Sequence, residues 1–236
     1  MNKINLKLSI IIPVYNEKKT IKKLLVKVNK IKSIKKKEII VVDDASIDGT
    51  TEILKENKHY ITHLIFHKKN IGKGGAIKSA KRFITGDIII IQDADLEYNP
   101  SDYKKLITYI QKGYDVVYGS RVLGANRYLS KNFSSFLRIF YNHALTILSN
   151  LINNQNLTDA HTCYKMFTKK IFLSINLKEN DFSFCPEITT KVGLKKIKIK
   201  EVSIRYNGRS YEEGKKITWK DGFNALRCLI KYNLFR

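Results

Sequence analysis

A chain of 236 residues with 43% hydrophobic and 28% charged side chains can bury a substantial core, and this balance excludes the disordered class. Its formal net charge of +23 points to anionic partners such as nucleotides, lipid phosphates, an acidic bilayer or nucleic acid, although 36 of the 44 basic residues are lysine, which compositional bias explains equally well. The three cysteines, Cys163, Cys185 and Cys228, show no CxxC or Cys/His spacing, so a disulfide framework and a zinc site are both unsupported and a reducing cytoplasm is the simplest setting.

In chain order, the first half alternates apolar runs with helical patterns. Strands are expected at Leu8 to Val14, Ile39 to Val42, His63 to Phe66 and Asp87 to Ile91, with helices near Glu17 to Ile31, Thr50 to Lys58 and Gly75 to Phe83. Strands separated by helices predict βαβ units and a mostly parallel sheet. The strands' C-terminal ends then share one edge, where Pro13-Val14-Tyr15-Asn16-Glu17, Asp43 to Thr50 and Asp93-Ala94-Asp95 converge. Beyond this lie a helix near Ser101 to Lys112, a strand at Val116 to Tyr118 and a long amphipathic stretch from Phe133 to Ile152. Strands near Tyr164 to Phe167 and Ile197 to Ile204 follow, and an amphipathic helix from Trp219 to Leu234 ends the pattern.

Asp93-Ala94-Asp95 carries the most information. It follows the buried run Ile88 to Ile91, and a turn at Ala94 lets both carboxylates face one cation; Glu97 adds a third carboxylate, and such an oxygen set suits Mg²⁺ or Mn²⁺ against a diphosphate. A strand-end turn would explain the aspartates alone. The loop from Asp43 to Gly49 resembles a calcium loop only superficially, because Lys55 stands where the closing glutamate belongs. Asp43 or Asp44 accepting hydrogen bonds from a base or ribose, with Asp48-Gly49-Thr50 turning into the next helix, fits better. Gly72-Lys73-Gly74-Gly75 matches neither a phosphate loop nor a dinucleotide fingerprint; it reads as close packing, with Lys73 a candidate nucleotide contact.

Tyr15-Asn16-Glu17, Asp43-Asp44, Asp93-Ala94-Asp95 and Gly119-Ser120-Arg121, in that order, resemble the family 2 glycosyltransferases of the GT-A fold. Thr158 to Lys165, Phe184-Cys185-Pro186-Glu187-Ile188, Gly208 to Ile217 and Trp219-Lys220-Asp221-Gly222 are similar to the branch related to dolichyl-phosphate mannose synthase. The resemblance implies an α/β fold with a Rossmann-like, mostly parallel sheet flanked by helices and with C-terminal amphipathic helices. It implies one domain over residues 1–236, of which 1–100 bind the nucleotide sugar and 101–236 the acceptor. The implied activity is metal-dependent, inverting transfer of a hexose from a GDP- or UDP-sugar to a polyprenyl phosphate. By position, Pro13, Tyr15, Glu17 and Asp44 resemble residues that hold the nucleotide; Asp93, Asp95 and Glu97 the metal and diphosphate site; Arg121 an acceptor-phosphate ligand; and Arg209 with Lys215 a basic loop over the diphosphate. His161 stands where many relatives have glutamate and reads as a buried or capping residue.

A lipid phosphate is already ionised near neutral pH and needs cations rather than a base; Arg121, Arg127 and Arg138 are candidates, in that order. Asp159 and Glu187 are read as orienting partners or as a base, the ion-pair role ranking first for Glu187. No stretch reaches about 20 uninterrupted apolar residues and no signal-peptide core opens the chain, so the expectation is a cytoplasmic protein held peripherally on the cytoplasmic face of a membrane. Phe133 to Ile152 reads as an interfacial helix or as core packing. Alternatives are transfer to a saccharide hydroxyl and, remotely, a basic nucleic-acid binder; the chain lacks a helix-turn-helix, RNP or zinc-finger signature, so nucleic acid is not an expected partner.

Overall fold

A computed structural model describes residues 6–123, 133–209 and 219–234. Seven strands form one sheet in the order β3-β2-β1-β4-β6-β5-β7: β1 (Leu8–Val14), β2 (Lys37–Asp43), β3 (His63–Phe66), β4 (Ile88–Ile91), β5 (Val116–Ser120), β6 (Lys165–Thr168) and β7 (Ile199–Ser203). The first four strands are mutually parallel, as their near-continuous Ile/Val runs require when helices cover both faces. β5 and β7 are parallel to each other, whereas β6 runs antiparallel to both β4 and β5. The sheet is therefore mixed beyond β4.

The helices are α1 (Ile21–Asn29), α2 (Thr50–Glu56), α3 (Lys73–Ala80), α4 (Tyr103–Gln111), α5 (Phe133–Asn153), α6 (Lys169–Ser174), α7 (Phe184–Leu194) and α8 (Trp219–Leu234). α1 buries Ile21, Leu24, Leu25 and Val28, the i, i+3, i+4, i+7 stripe that seats a helix on a sheet. It starts later than periodicity suggested, because Tyr15 to Glu17 is a loop in which Asn16 takes a left-handed φ of 50°. α6 and α7 were not foreseen. Pro186 and Glu187 in the first turn of α7 are the signal that marks its start.

Pro13 lies within β1, a central strand, yet no ladder bond is lost. β1 pairs with β4 only as far as Ile11↔Ile91, and Gln92 N–H then donates to the Ile11 carbonyl, so Pro13 faces a gap that β4 has already left. β2 lies on one side of β1 and β4 on the other, making this gap the switch point at which a doubly wound sheet opens a crevice.

Candidate active site

A cleft of about 200 Å³ occupies that crevice. Pro13, Tyr15, Glu17, Asp44, Lys73, Asp93, Asp95, Glu97, Arg121 and Arg209 all line it, so ten residues singled out from the sequence converge on one cavity. Asn70, Tyr98, His161, Cys163, Phe182 and Tyr206 also line it. His161 and Cys163 belong to the Thr158 to Lys165 segment singled out above; the other four carry no local pattern that advertises a site, and the fold brings them there.

The strand-end loops are stitched to one another. Asn16 N–H donates to Ser46 Oγ at 2.9 Å, Ile47 N–H to Asn16 Oδ1 at 2.9 Å, and Glu17 N–H to Thr50 Oγ1 at 2.8 Å. Asp48 Oδ1 accepts from Thr50 N–H at 3.0 Å, and so turns the chain into α2. Asp44 Oδ2 accepts from Gly72 N–H at 2.7 Å and Oδ1 from Ile71 N–H at 3.0 Å, which ties the β2 loop to the entrance of α3. Gly72 has a φ of +94°, and a Cβ there would meet the Asn180 carbonyl at 2.6 Å. Close packing is thus the role of Gly72 and Gly74 against the 179–181 backbone, and of Gly75 against the Ile71 side chain.

At the end of β4, buried Gln92 spends its amide on the Asp93 carbonyl and its oxygen on the hydroxyls of Tyr103 and Tyr164, which fixes the direction in which Asp93 leaves. Lys73 Nζ pairs with Asp93. Arg209 spans the opposite side: its Nη atoms donate to Glu17 at 3.0 and 3.1 Å, Nη2 reaches Asp95 at 3.4 Å, and its backbone N–H donates to Glu97 Oε1 at 2.7 Å. Burial, with the Asp93 and Glu97 carboxylates beside it, raises the Asp95 carboxyl to about 7. Crowded negative charge in a half-buried cleft is what a cation would relieve.

Among the described residues no group of three or more His, Cys, Asp or Glu side chains is placed to hold a metal unaided. At this site Glu97 accepts from Tyr206 Oη at 2.7 Å and from Arg209, and so ties down the 206–209 strap. Asp93 and Asp95 remain, and Mg²⁺ commonly takes one or two carboxylates together with substrate phosphates. The donor set fits a divalent ion on those terms.

Arg121 enters at the end of β5. Its Nε and Nη2 make a bidentate pair with Asp159 at 2.7 and 2.8 Å and its Cζ lies 5.2 Å from the Tyr206 ring centroid, while Nη1 forms no hydrogen bond among the described residues. Asp159 is thereby an orienting partner. His161 beside it is driven down to about 4 by burial and then by the Lys165 ammonium, so the imidazole is neutral at physiological pH.

Two candidates fall outside the cleft. Asp43 is buried, with Oδ1 on Ser46 N–H and Oδ2 on Thr51 Oγ1; adjacent residues leave a strand on opposite faces, and only Asp44 takes the cleft side. Glu187 is buried in α7, where its carboxylate accepts from Lys178 N–H at 2.6 Å, Glu179 N–H at 2.9 Å and Lys191 Nζ at 2.5 Å. It is a structural ion pair, with a lysine rather than an arginine. Arg205 pairs at the surface with Asp102. Lys215, Arg127 and the side chain of Arg138 lie outside the described residues.

A sheet that opens at its switch point into a polar cleft defines the class of α/β proteins that bind a ligand beyond the carboxyl ends of their strands. Residues 9–175 match the glycosyl transferase family 2 model, and the chain belongs to that family as a glycosyltransferase of the GT-A fold. It is 29% identical to an uncharacterized protein of Methanocaldococcus jannaschii, over 96% of this chain and 92% of that one. It is 28% identical to the dolichol-phosphate mannosyltransferase of Pyrococcus furiosus, over 96% of this chain but 63% of the relative's length. Among solved structures, glucosyl-3-phosphoglycerate synthase of Mycobacterium tuberculosis superposes with a TM-score of 0.73 at 16% identity, covering 98% of this chain and 82% of that one. The same enzyme in complex with Mn²⁺ and UDP-glucose gives a TM-score of 0.70 at 15% identity, covering 99% and 81%.

Proposed function

We propose that the protein transfers a hexose, with inversion, from a GDP- or UDP-sugar to a polyprenyl phosphate, assisted by Mg²⁺ or Mn²⁺. The observation that carries the acceptor class is the make-up of the cleft's second-half wall. Arg121, His161, Cys163, Phe182, Tyr206 and Arg209 stand there, and none of the described lining residues contributed by the second half is a carboxylate. Asp159 is committed to Arg121, Glu187 is elsewhere, and a histidine titrating near 4 is a weak base. A hydroxyl acceptor would need a base, whereas a phosphate acceptor arrives ionised and needs a cation such as Arg121 Nη1. The mannosyltransferase relative acts on dolichol phosphate by its name, which supports the same reading.

On the donor side, Pro13, Tyr15, Glu17 and Asp44 would hold the nucleotide, and residues 1–100 would form the donor half of the molecule. Asp93 and Asp95 would hold the metal, whose chemistry is to neutralise charge gathering on the departing diphosphate. Arg209 and Lys73 supply fixed positive charge at the same place, provided each exchanges its present carboxylate for phosphate oxygens. The neighbour crystallised with Mn²⁺ and UDP-glucose is consistent with this donor class.

Incubating the purified chain and Mn²⁺ with UDP- and GDP-sugars, with and without a polyprenyl phosphate, tests the proposal by following nucleotide release and lipid-linked sugar together. Lipid-linked product from one donor is expected. Release that depends instead on a saccharide would move the acceptor to a hydroxyl and overturn the phosphate assignment.

A further inference from the structure

Two thiols meet at the cleft wall. Cys163 Sγ lies 3.9 Å from Cys185 Sγ, both residues are buried, and Cys163 lines the cavity. Cys185 sits in the first turn of the eleven-residue helix α7, where the helix N-terminus favours a thiolate. Next to the pair is Lys165, wholly buried, whose ammonium donates to the Ala160 carbonyl and Thr189 Oγ1 and lies 3.6 Å from the Tyr118 ring centroid. It makes no ion pair with a carboxylate among the described residues. A buried ammonium without a counter-charge is costly, and a thiolate at Cys185 supplies one. Donation from Cys163 outweighs burial, which acts the other way, and with the Lys165 and Lys73 charges holds the Cys185 thiol below its ordinary range. Two cysteines packed merely as small apolar side chains would need neither the helix terminus nor the cation.

We propose that Cys163 and Cys185 form a redox modification site that a hydroperoxide converts reversibly into a disulfide, and that the bond closes the cleft to nucleotide. The Cys185 thiolate attacks the peroxide; the O–O bond breaks, the leaving oxygen departs as hydroxide or alkoxide, and Cys185 becomes a sulfenic acid. The Cys163 sulfur then attacks the sulfenic sulfur, the S–O bond breaks, and hydroxide leaves with the Cys163 proton as water while the S–S bond forms. Two thiols give up two electrons and the peroxide takes them.

Forming the bond draws the sulfurs from 3.9 Å to about 2.05 Å. The movement has a path into the cleft. Cys163 N–H donates to Tyr98 Oη at 3.1 Å, Tyr98 meets Tyr206 edge-on at 5.2 Å, and Tyr206 holds Glu97 and lies against Arg121. The loss of nucleotide binding rests on the donor-cleft reading given above; formation of the bond does not.

The test treats the full-length purified chain with hydrogen peroxide and follows thiol titre, peptide mass maps, and binding of UDP and GDP with Mn²⁺ by calorimetry. In the wild type the titre should fall from three thiols to one, a Cys163–Cys185 linked peptide should appear, and nucleotide affinity should be lost and then restored by dithiothreitol. Cys185→Ser, with Cys185→Ala as its alternative, should keep nucleotide binding through the treatment, and Cys228→Ser should behave as wild type. Absence of the linked peptide under conditions that leave circular dichroism unchanged overturns the site. A linked peptide with unaltered nucleotide affinity overturns its effect on the cleft. Should the reduced chain bind neither nucleotide, the donor-cleft reading fails, while the peptide map still decides whether the pair forms.

Discussion

At the scale of single residues, two carboxylates singled out from the sequence are both spent on buried ion pairs. Asp159 and Glu187 are both buried carboxylates paired with a cation, and neither projects a free oxygen into the cleft. Removing the charge of Asp159 leaves the Arg121 guanidinium buried without its anion, and breaking such a pair typically costs about 3–5 kcal/mol. Asp159→Asn should therefore shift the urea unfolding midpoint strongly; an unchanged midpoint with abolished turnover would instead make Asp159 a base. Glu187→Gln should destabilise by about 1–3 kcal/mol, because an amide nitrogen is forced against N–H donors, while kcat of the folded fraction stays near that of the wild type. Turnover lost at full stability would return Glu187 to the chemistry.

At the scale of elements, the loops that follow β1, β2 and β4 at the cleft each hold one non-glycine residue in the left-handed region: Asn16 at φ 50°, Ala45 at 61° and Leu96 at 65°. Backbone strain of this kind gathers where a loop must present particular groups. Asn16 offsets its cost through the Ile47 N–H bond, but alanine has no such group. Ala45→Gly should raise the melting temperature, worth about 1 kcal/mol; a lower one would show that the turn is relaxed. Under the sheet, Glu38 ties β2 to Ser9 of β1 and to Thr85 and Gly86 ahead of β4. Burial pushes its carboxyl up, yet the hydrogen bonds from Ser9, Thr85 and Lys7 outweigh it and bring it down to about 2. A carboxylate depressed in the native state contributes stability that is complete above its unfolded value of about 4.3 and fades as pH falls towards 2. Thermal melts across that window should show a steep loss in the wild type and a shallower one in Glu38→Gln; parallel curves would refute the assignment.

At the scale of the whole molecule, the second half turns apolar side chains outward. Phe140, Tyr141, Ile147 and Leu151 of α5 and Phe223, Ile230 and Leu234 of α8 are exposed, and the two helices pack on each other. Phe140, Ile147 and Leu151, like Phe223, Ile230 and Leu234, recur at i, i+7 and i+11, which is one face of each helix. No helix among the described residues is long and apolar enough to cross a membrane. A face of this kind, flanked by Arg227 and Lys231, has the chemistry for shallow insertion into an anionic bilayer, which the proposed lipid acceptor would require. Replacing Phe140, Leu151 and Phe223 with serine should greatly reduce co-sedimentation with phosphatidylglycerol vesicles, even at low salt. Unchanged binding that disappears only when salt is raised would assign attachment to the lysines alone.

The apolar runs at Leu8 to Val14 and Ile88 to Ile91, broken by loops rich in aspartate, were enough to reveal a parallel sheet and the edge where its loops converge. Periodicity reports which face of an element is buried, and a motif reports which chemistry is present. Neither reports which buried groups meet. Tertiary structure alone decided that Asp44 rather than Asp43 enters the cleft, that Glu97 holds Tyr206 and the Arg209 strap, and that Glu187 rides on α7 to a lysine. It also decided that β6 runs antiparallel between two strands distant from it in sequence, and that Cys163 meets Cys185. These are contacts between separate elements, set by how the helices and the mixed half of the sheet pack, and local sequence carries no record of that geometry.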